Sequence, residues 1–140
     1  MSSKRVRYIW LQQNIDLSGP LTKSLSNNIK NIKMKRYGQI IKLRPSKIDE
    51  YKKLHAAVWP EVKEIIADCN IRNYSIYLKD EILFSYYEYM GDDYDMDMGK
   101  MAASPIIQKW WEVCDPCQLP LETREEGEWW ANMEEVFHQE

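Results

Sequence analysis

The run NYSIYLKDEILFSYYEYM, residues 73 to 90, does most to limit what this chain can fold into. Tyr74, Ile76 and Leu78 alternate with Asn73, Ser75 and Tyr77, the period of two that puts one set of side chains on each face of a strand. Lys79, Asp80 and Glu81 interrupt the pattern, and ILFSYYEYM (82 to 90), rich in β-branched and aromatic residues, resumes it. Two extended runs joined by a short polar turn read as a hairpin, so the chain must hold an antiparallel sheet. RYGQIIKL (36 to 43) reads as a third strand.

Between strands the period changes. After the turn at Arg44–Pro45–Ser46, a helix opened by Ser46 with Glu50 nearby would carry Ile48, Tyr51, Leu54, His55 and Val58 on one face. Pro60 lacks an N–H and clashes with the preceding turn, so the helix must break and restart there as PEVKEIIADC, ending near Asn70. A looser helical stretch, DYDMDMGKMAA, precedes a clear helix, PIIQKWWEVC, with Ser104 as N-cap and Pro105 at its first position; Asp115 and Pro116 stop it. The tail is expected to be a long loop closing with a short strand around Met133 to Phe137.

The order strand, helix, strand, strand, helix, strand is that of an α+β, ferredoxin-like split βαβ fold: an antiparallel sheet with helices on one face. The other face would be bare and aromatic-rich, so a homodimer is expected to cover it. With 140 residues, 44% of them hydrophobic, the chain suffices for one domain with a real core. That domain is expected over 34 to 140. Residues 1 to 33 show no sustained period, are rich in Ser, Asn and Lys, and read as an appended basic leader, disordered or an upstream extension ahead of Met34.

Charge and cysteine usage exclude several classes. Residues 1 to 36 hold eight basic residues against the single acid Asp16, which leaves 11 basic and 21 acidic residues in the remainder. So acidic a body is ill suited to nucleic acid, whose phosphates need a basic face. No apolar run approaches the ~20 residues that cross a bilayer, so no membrane association is expected. Three cysteines, Cys69, Cys114 and Cys117, with no secretory signal point to reduced thiols and a cytoplasmic setting. Cys114 and Cys117 form a CxxC, but no second CxxC or histidine pair completes a zinc or redox set, and no metal is expected. The acidic run Asp92, Asp93, Asp95 and Asp97 lacks the glycine and terminal glutamate of a calcium loop and reads as a solvated helix start. His138, near the chain end, reads as solvated.

What remains for chemistry is a one-histidine aromatic constellation. Tyr51 and His55 stand at i and i+4, neighbours on one helical surface, and an imidazole exchanges protons near neutrality. The plainer reading is a helix face packed on the sheet with its polar tips satisfied. Tyr74 is a phenol on a strand. Trp110 and Trp111, adjacent on a helix, project ~100° apart and cannot both seat in one core layer. Aromatic faces suit the C–H faces of a sugar. A phosphate loop, a nucleophile elbow and HExxH are all missing from the sequence.

The run YKKLHAAVWPEV, followed in order by NIRNYSIYL, ILFSYYEY, QKWWEV and EEVF, resembles the L-rhamnose mutarotase family from about Met34 to Phe137. Its most specific part is Y-x-x-x-H-x-x-x-W-P-E. The resemblance implies a dimeric α+β barrel that interconverts the α and β anomers of a 6-deoxy monosaccharide without cofactor. It makes His55 the proton donor to the ring oxygen, with Tyr74 or a water as its complement. It makes Tyr51 and Tyr74 sugar-binding, and Trp110 and Trp111 the rest of the pocket wall. Trp59, Pro60 and Glu61 match the helix break and carry no chemistry. The tail departs from the family with Trp129 and Trp130, and a loop closing there would shift preference toward L-fucose or another deoxyhexose. Two rivals stand beside this reading: a cofactor-free monooxygenase of the dimeric α+β barrel type, and a non-catalytic sugar-binding dimer.

Overall fold

The computed structural model describes residues 34–140; the expected leader, residues 1 to 33, lies outside them. Strand β1 (Lys35–Leu43) pairs antiparallel with β3 (Ile82–Tyr89), and β3 pairs antiparallel with β2 (Ile71–Lys79). On the far edge of β1 lie two short antiparallel strands, β4 (Gln118–Leu119) and β5 (Ala131–Met133). Since β3 sits between β1 and β2, these two run parallel with a helical crossover, which makes the fold the expected ferredoxin-like split βαβ. The helices are α1 (Ile48–Ala56), α2 (Pro60–Asp68), α3 (Tyr94–Ala103) and α4 (Pro105–Cys114).

The period-two pattern of β1 and β3 decides which face the helices cover. Registers Ile41↔Leu83, Gln39↔Ser85 and Tyr37↔Tyr87 set these residues on one face. Ile41, Leu43 and Leu83 join Tyr51 of α1, Val62 of α2, and Ile107, Trp110 and Cys114 of α4 in the main core. A second cluster of Ile71, Tyr87 and Tyr89 packs with Tyr37, Tyr94 and Met98. The opposite face, with Ile40, Tyr77, Phe84 and Met133, has no covering layer among the described residues, and Tyr77 is 65% exposed.

Five expectations need correction. Ser46 does not open α1: it lies in a 3-10 turn, Pro45–Lys47, and the helix starts after Lys47 with no side-chain cap. Glu50 is instead claimed by the Lys47 ammonium at 2.6 Å, a contact available once the turn brings Lys47 one helical step away. The closing strand is Ala131–Met133, not Met133 to Phe137, because Gly38, Gln39 and Ile40 have partners only that far along; beyond it Glu135 is held by the Arg36 guanidinium through two bonds of 2.9 and 3.0 Å. The hairpin turn is two residues, Asp80–Glu81, with Lys79 already paired to Ile82 and Asp80 at φ 55°. Strand β2 also starts earlier than Asn73, and Asn73, at φ 49°, sits in a bulge that carries Tyr74 onto the helix-covered face against Tyr87.

The fifth concerns the acidic run. Asp93 is the N-cap of α3, its carboxylate accepting from the Met96 N–H at 3.0 Å, and Asp92 and Asp95 are exposed, as a solvated helix start requires. Asp97, however, is only 7% exposed. The Tyr89 hydroxyl and the Asn70 amide donate to its carboxylate and hold it below the usual carboxylate range, offsetting the cost of burial. Gly91 lies against this cluster: a Cβ there would stand 2.7 Å from the Asp97 carboxylate and closer still to the Tyr89 ring and hydroxyl. Gly91→Ala is therefore expected to cost about 2 kcal/mol by overpacking. Urea denaturation checks it, and a variant within about 0.5 kcal/mol of the parent would show that this corner can yield.

Candidate active site

Helix α1 is one turn too short to reach α2 without a break, and that break shapes the site. Pro60 holds Trp59 in an extended conformation, with ψ 133°, and the Trp59 ring meets the Trp110 ring edge-on at 5.1 Å. Tyr51 and His55, one turn apart, stack with centroids 4.0 Å apart and planes 24° off parallel. The other side of the imidazole meets Trp110 at 5.3 Å and 61°. His55 is thus gripped by aromatic rings from two helices.

Its hydrogen bond fixes its chemistry. Nδ1 lies 2.9 Å from the Tyr51 carbonyl oxygen, which can only accept, so Nδ1 carries a proton. In the neutral ring the lone pair is then on Nε2. Burial pushes the imidazole below its ordinary value and the Tyr51 carbonyl opposes this, leaving the neutral form favoured at pH 7.

Tyr51 is 3% exposed. Burial first, then the Tyr74 phenol, raise its own ionisation far above the ordinary value, so it acts as a neutral hydroxyl. Tyr74, 43% exposed, meets the Tyr87 ring edge-on at 5.7 Å. Of the tryptophan pair, Trp110 is buried and touches His55, while Trp111 is half-buried against the main core. The structure therefore joins Tyr51, His55 and Trp110 directly, sets Tyr74 against Tyr87, and packs Trp111 against the main core.

Sequence reasoning missed Gln118 and the aromatic part played by Trp59. Trp59 lends an aromatic wall as well as the helix break. Gln118, 4% exposed, donates through Nε2 to the Tyr51 hydroxyl oxygen at 3.4 Å, and its Oε1 accepts from the Trp129 indole N–H at 2.7 Å. Strand β4 has two residues, too few for any period to mark Gln118 as inward. Trp129 and Trp130, noted as a departure, pack against the main core.

Cys114 and Cys117 are buried outside any disulfide, and among the described residues no three His, Cys, Asp or Glu side chains are grouped as a metal would need. His138 is exposed near the end of the chain. A shallow depression of about 380 Å³ lined by Glu50, Lys53, Leu54 and Ala57 lies on the neighbouring stripe of α1 and includes neither Tyr51 nor His55. No helix among the described residues is long and apolar enough to cross a membrane.

The family model described as L-rhamnose mutarotase matches residues 36–139. The L-rhamnose mutarotase of Phocaeicola vulgatus is 42% identical over 81 residues, covering 56% of this chain and 75% of that one. That of Oceanobacillus iheyensis is 35% identical over 107 residues, 75% of this chain and 98% of its own. Among solved structures, the L-rhamnose mutarotase of Formosa agariphila superposes with a TM-score of 0.60 at 26% identity, covering 76% of this chain and 99% of that one. Tetracenomycin F2 cyclase from Streptomyces glaucescens, with a TM-score of 0.57 at 15% identity, shares the fold. The chain belongs to the L-rhamnose mutarotase family.

Proposed function

We propose that this protein is an L-rhamnose mutarotase in which His55 moves the proton, and the observation that carries the assignment is the Nδ1–H bond to the Tyr51 carbonyl. Mutarotation needs a proton removed from the anomeric hydroxyl and one delivered to the ring oxygen, while the C1–O5 bond breaks and C1=O forms. The aldehyde then rotates and recloses on its other face. Neutral His55 accepts the first proton at Nε2, and the imidazolium so formed returns it to the ring oxygen. Protons and electrons balance with no cofactor. Tyr51, as a neutral phenol, and Tyr74 hold sugar hydroxyls, and Trp110 and Trp111 wall the sugar's C–H faces. The matching family gives no support to a monooxygenase or to a binding-only dimer. Saturation-transfer NMR between the two anomeric protons of L-rhamnose, with L-fucose in parallel, tests the reading: protein should accelerate exchange, and no acceleration with either sugar would remove it.

The same reading includes a cytoplasmic homodimer built on the uncovered sheet face. Tyr77, Phe84 and Met133 there are exposed and share that face, and leave an apolar area in need of cover. Sedimentation at micromolar concentration is expected to give twice the chain mass, and Phe84→Lys to shift it toward the monomer. A monomeric parent would mean that the face serves something else.

A further inference from the structure

Gln118 is buried between two groups that leave its amide a single arrangement. The indole N–H of Trp129 only donates, so the atom it meets at 2.7 Å must be the amide oxygen. The amide nitrogen is therefore the atom that faces the Tyr51 hydroxyl, at 3.4 Å. An N–H can only donate, so the Tyr51 oxygen accepts and its own O–H turns away from Gln118.

We propose that Trp129 and Gln118 form a positioning relay that sets Tyr51 as a hydrogen-bond donor toward the sugar, so that the tail segment governs the polarity of the site. This rests on the reading that Tyr51 contacts substrate. An unfixed phenol buried beside an amide could equally donate to the amide's oxygen, and would then meet a sugar hydroxyl only as an acceptor. The indole removes that alternative by occupying the oxygen. The relay joins β4 and the segment before β5 to α1, so a side chain 74 residues beyond His55 bears on the ring that stacks against it.

Gln118→Glu in the full chain tests the proposal, because the replacement has the same shape and its hydrogen bonding changes with pH. Ionised, the introduced carboxylate accepts from both Trp129 and Tyr51, which draws the phenol's O–H inward. Protonated, it accepts from Trp129 and donates to Tyr51, as the amide does. Anomer exchange of L-rhamnose at pH 8 is expected to fall at least tenfold relative to the parent, and the variant-to-parent ratio to climb several-fold as pH is lowered to 5. A reduced ratio that is flat with pH would show a packing role only, and a ratio near one throughout would show no role; either overturns the relay. Should the variant fail to fold, a double-mutant cycle between Gln118→Leu and Tyr51→Phe decides: Gln118→Leu should have little further effect on exchange once the phenol oxygen is gone, and additive losses would overturn the relay. A parent protein that does not accelerate exchange at all would instead defeat the mutarotase reading itself.

Discussion

His55→Asn is expected to reduce catalysed anomer exchange by about 10² to 10⁴ and leave the fold in place. Asparagine keeps an N–H for the Tyr51 carbonyl and enough bulk to sit beneath Trp110, so the substitution removes the exchangeable proton and little else. Saturation-transfer NMR at saturating L-rhamnose reads the loss directly, with far-UV circular dichroism as the control for folding. An asparagine variant as fast as the parent would assign the proton transfer to another group, with the Tyr51 and Tyr74 phenols next in line.

The pH dependence gives a second view of the same residue. An exposed histidine is half protonated near pH 6.5. The value of His55 lies below this because burial penalises its cation. The neutral ring acts first in the proposed mechanism, so exchange should stay on its plateau from pH 8 through 6.5 and fall only on the acid side of it. A rate that climbs as pH drops through 6.5 would mean that the cation is the reactive form in the free enzyme. Stability follows the same sign. Below 6.5 the unfolded chain binds a proton that the folded one still refuses, so the contribution of His55 to stability declines as pH falls through that value.

How much of this the sequence shows depends on the range over which each feature is determined. Tyr51 and His55 are set by four residues of helix, and their stacking follows from local spacing. Strands β1, β2 and β3 are long enough to display alternation, and their order follows from it. Asp97 looked solvated because its neighbours Asp92, Asp93 and Asp95 are; its burial depends on Asn70 and Tyr89, which arrive from other elements. Gln118 is a stronger instance, since its orientation is dictated by an indole 11 positions later and a phenol 67 positions earlier. The Ser46 cap misled for the opposite reason: the local pattern was there, but Pro45 at the first position of a 3-10 turn displaced the helix start past it.

Trp110 and Trp111 should separate under alanine substitution, and the separation tests the site as well as the core. Trp110 is on the stripe of α4 that includes Ile107 and Cys114, 7% exposed, with its ring against both His55 and Trp59. Removing it opens a void that the neighbouring His55 and Trp59 rings cannot jointly fill, so Trp110→Ala is expected to cost about 3 to 5 kcal/mol. Catalysis should fall with it, because the imidazole then loses the edge that holds it over Tyr51. Trp111, turned ~100° around the helix, is only half-buried, and its removal is expected to cost well under half as much, roughly 1 kcal/mol. As a wall of the sugar site it should act instead through binding, raising KM several-fold with the maximal rate nearly preserved. Urea denaturation and exchange rates over a range of L-rhamnose concentrations measure both. Equal stability losses would mean that Trp111 is as much core as Trp110. An unchanged KM in Trp111→Ala would take that ring out of the sugar site and leave the wall to Trp110, Trp59 and the two phenols.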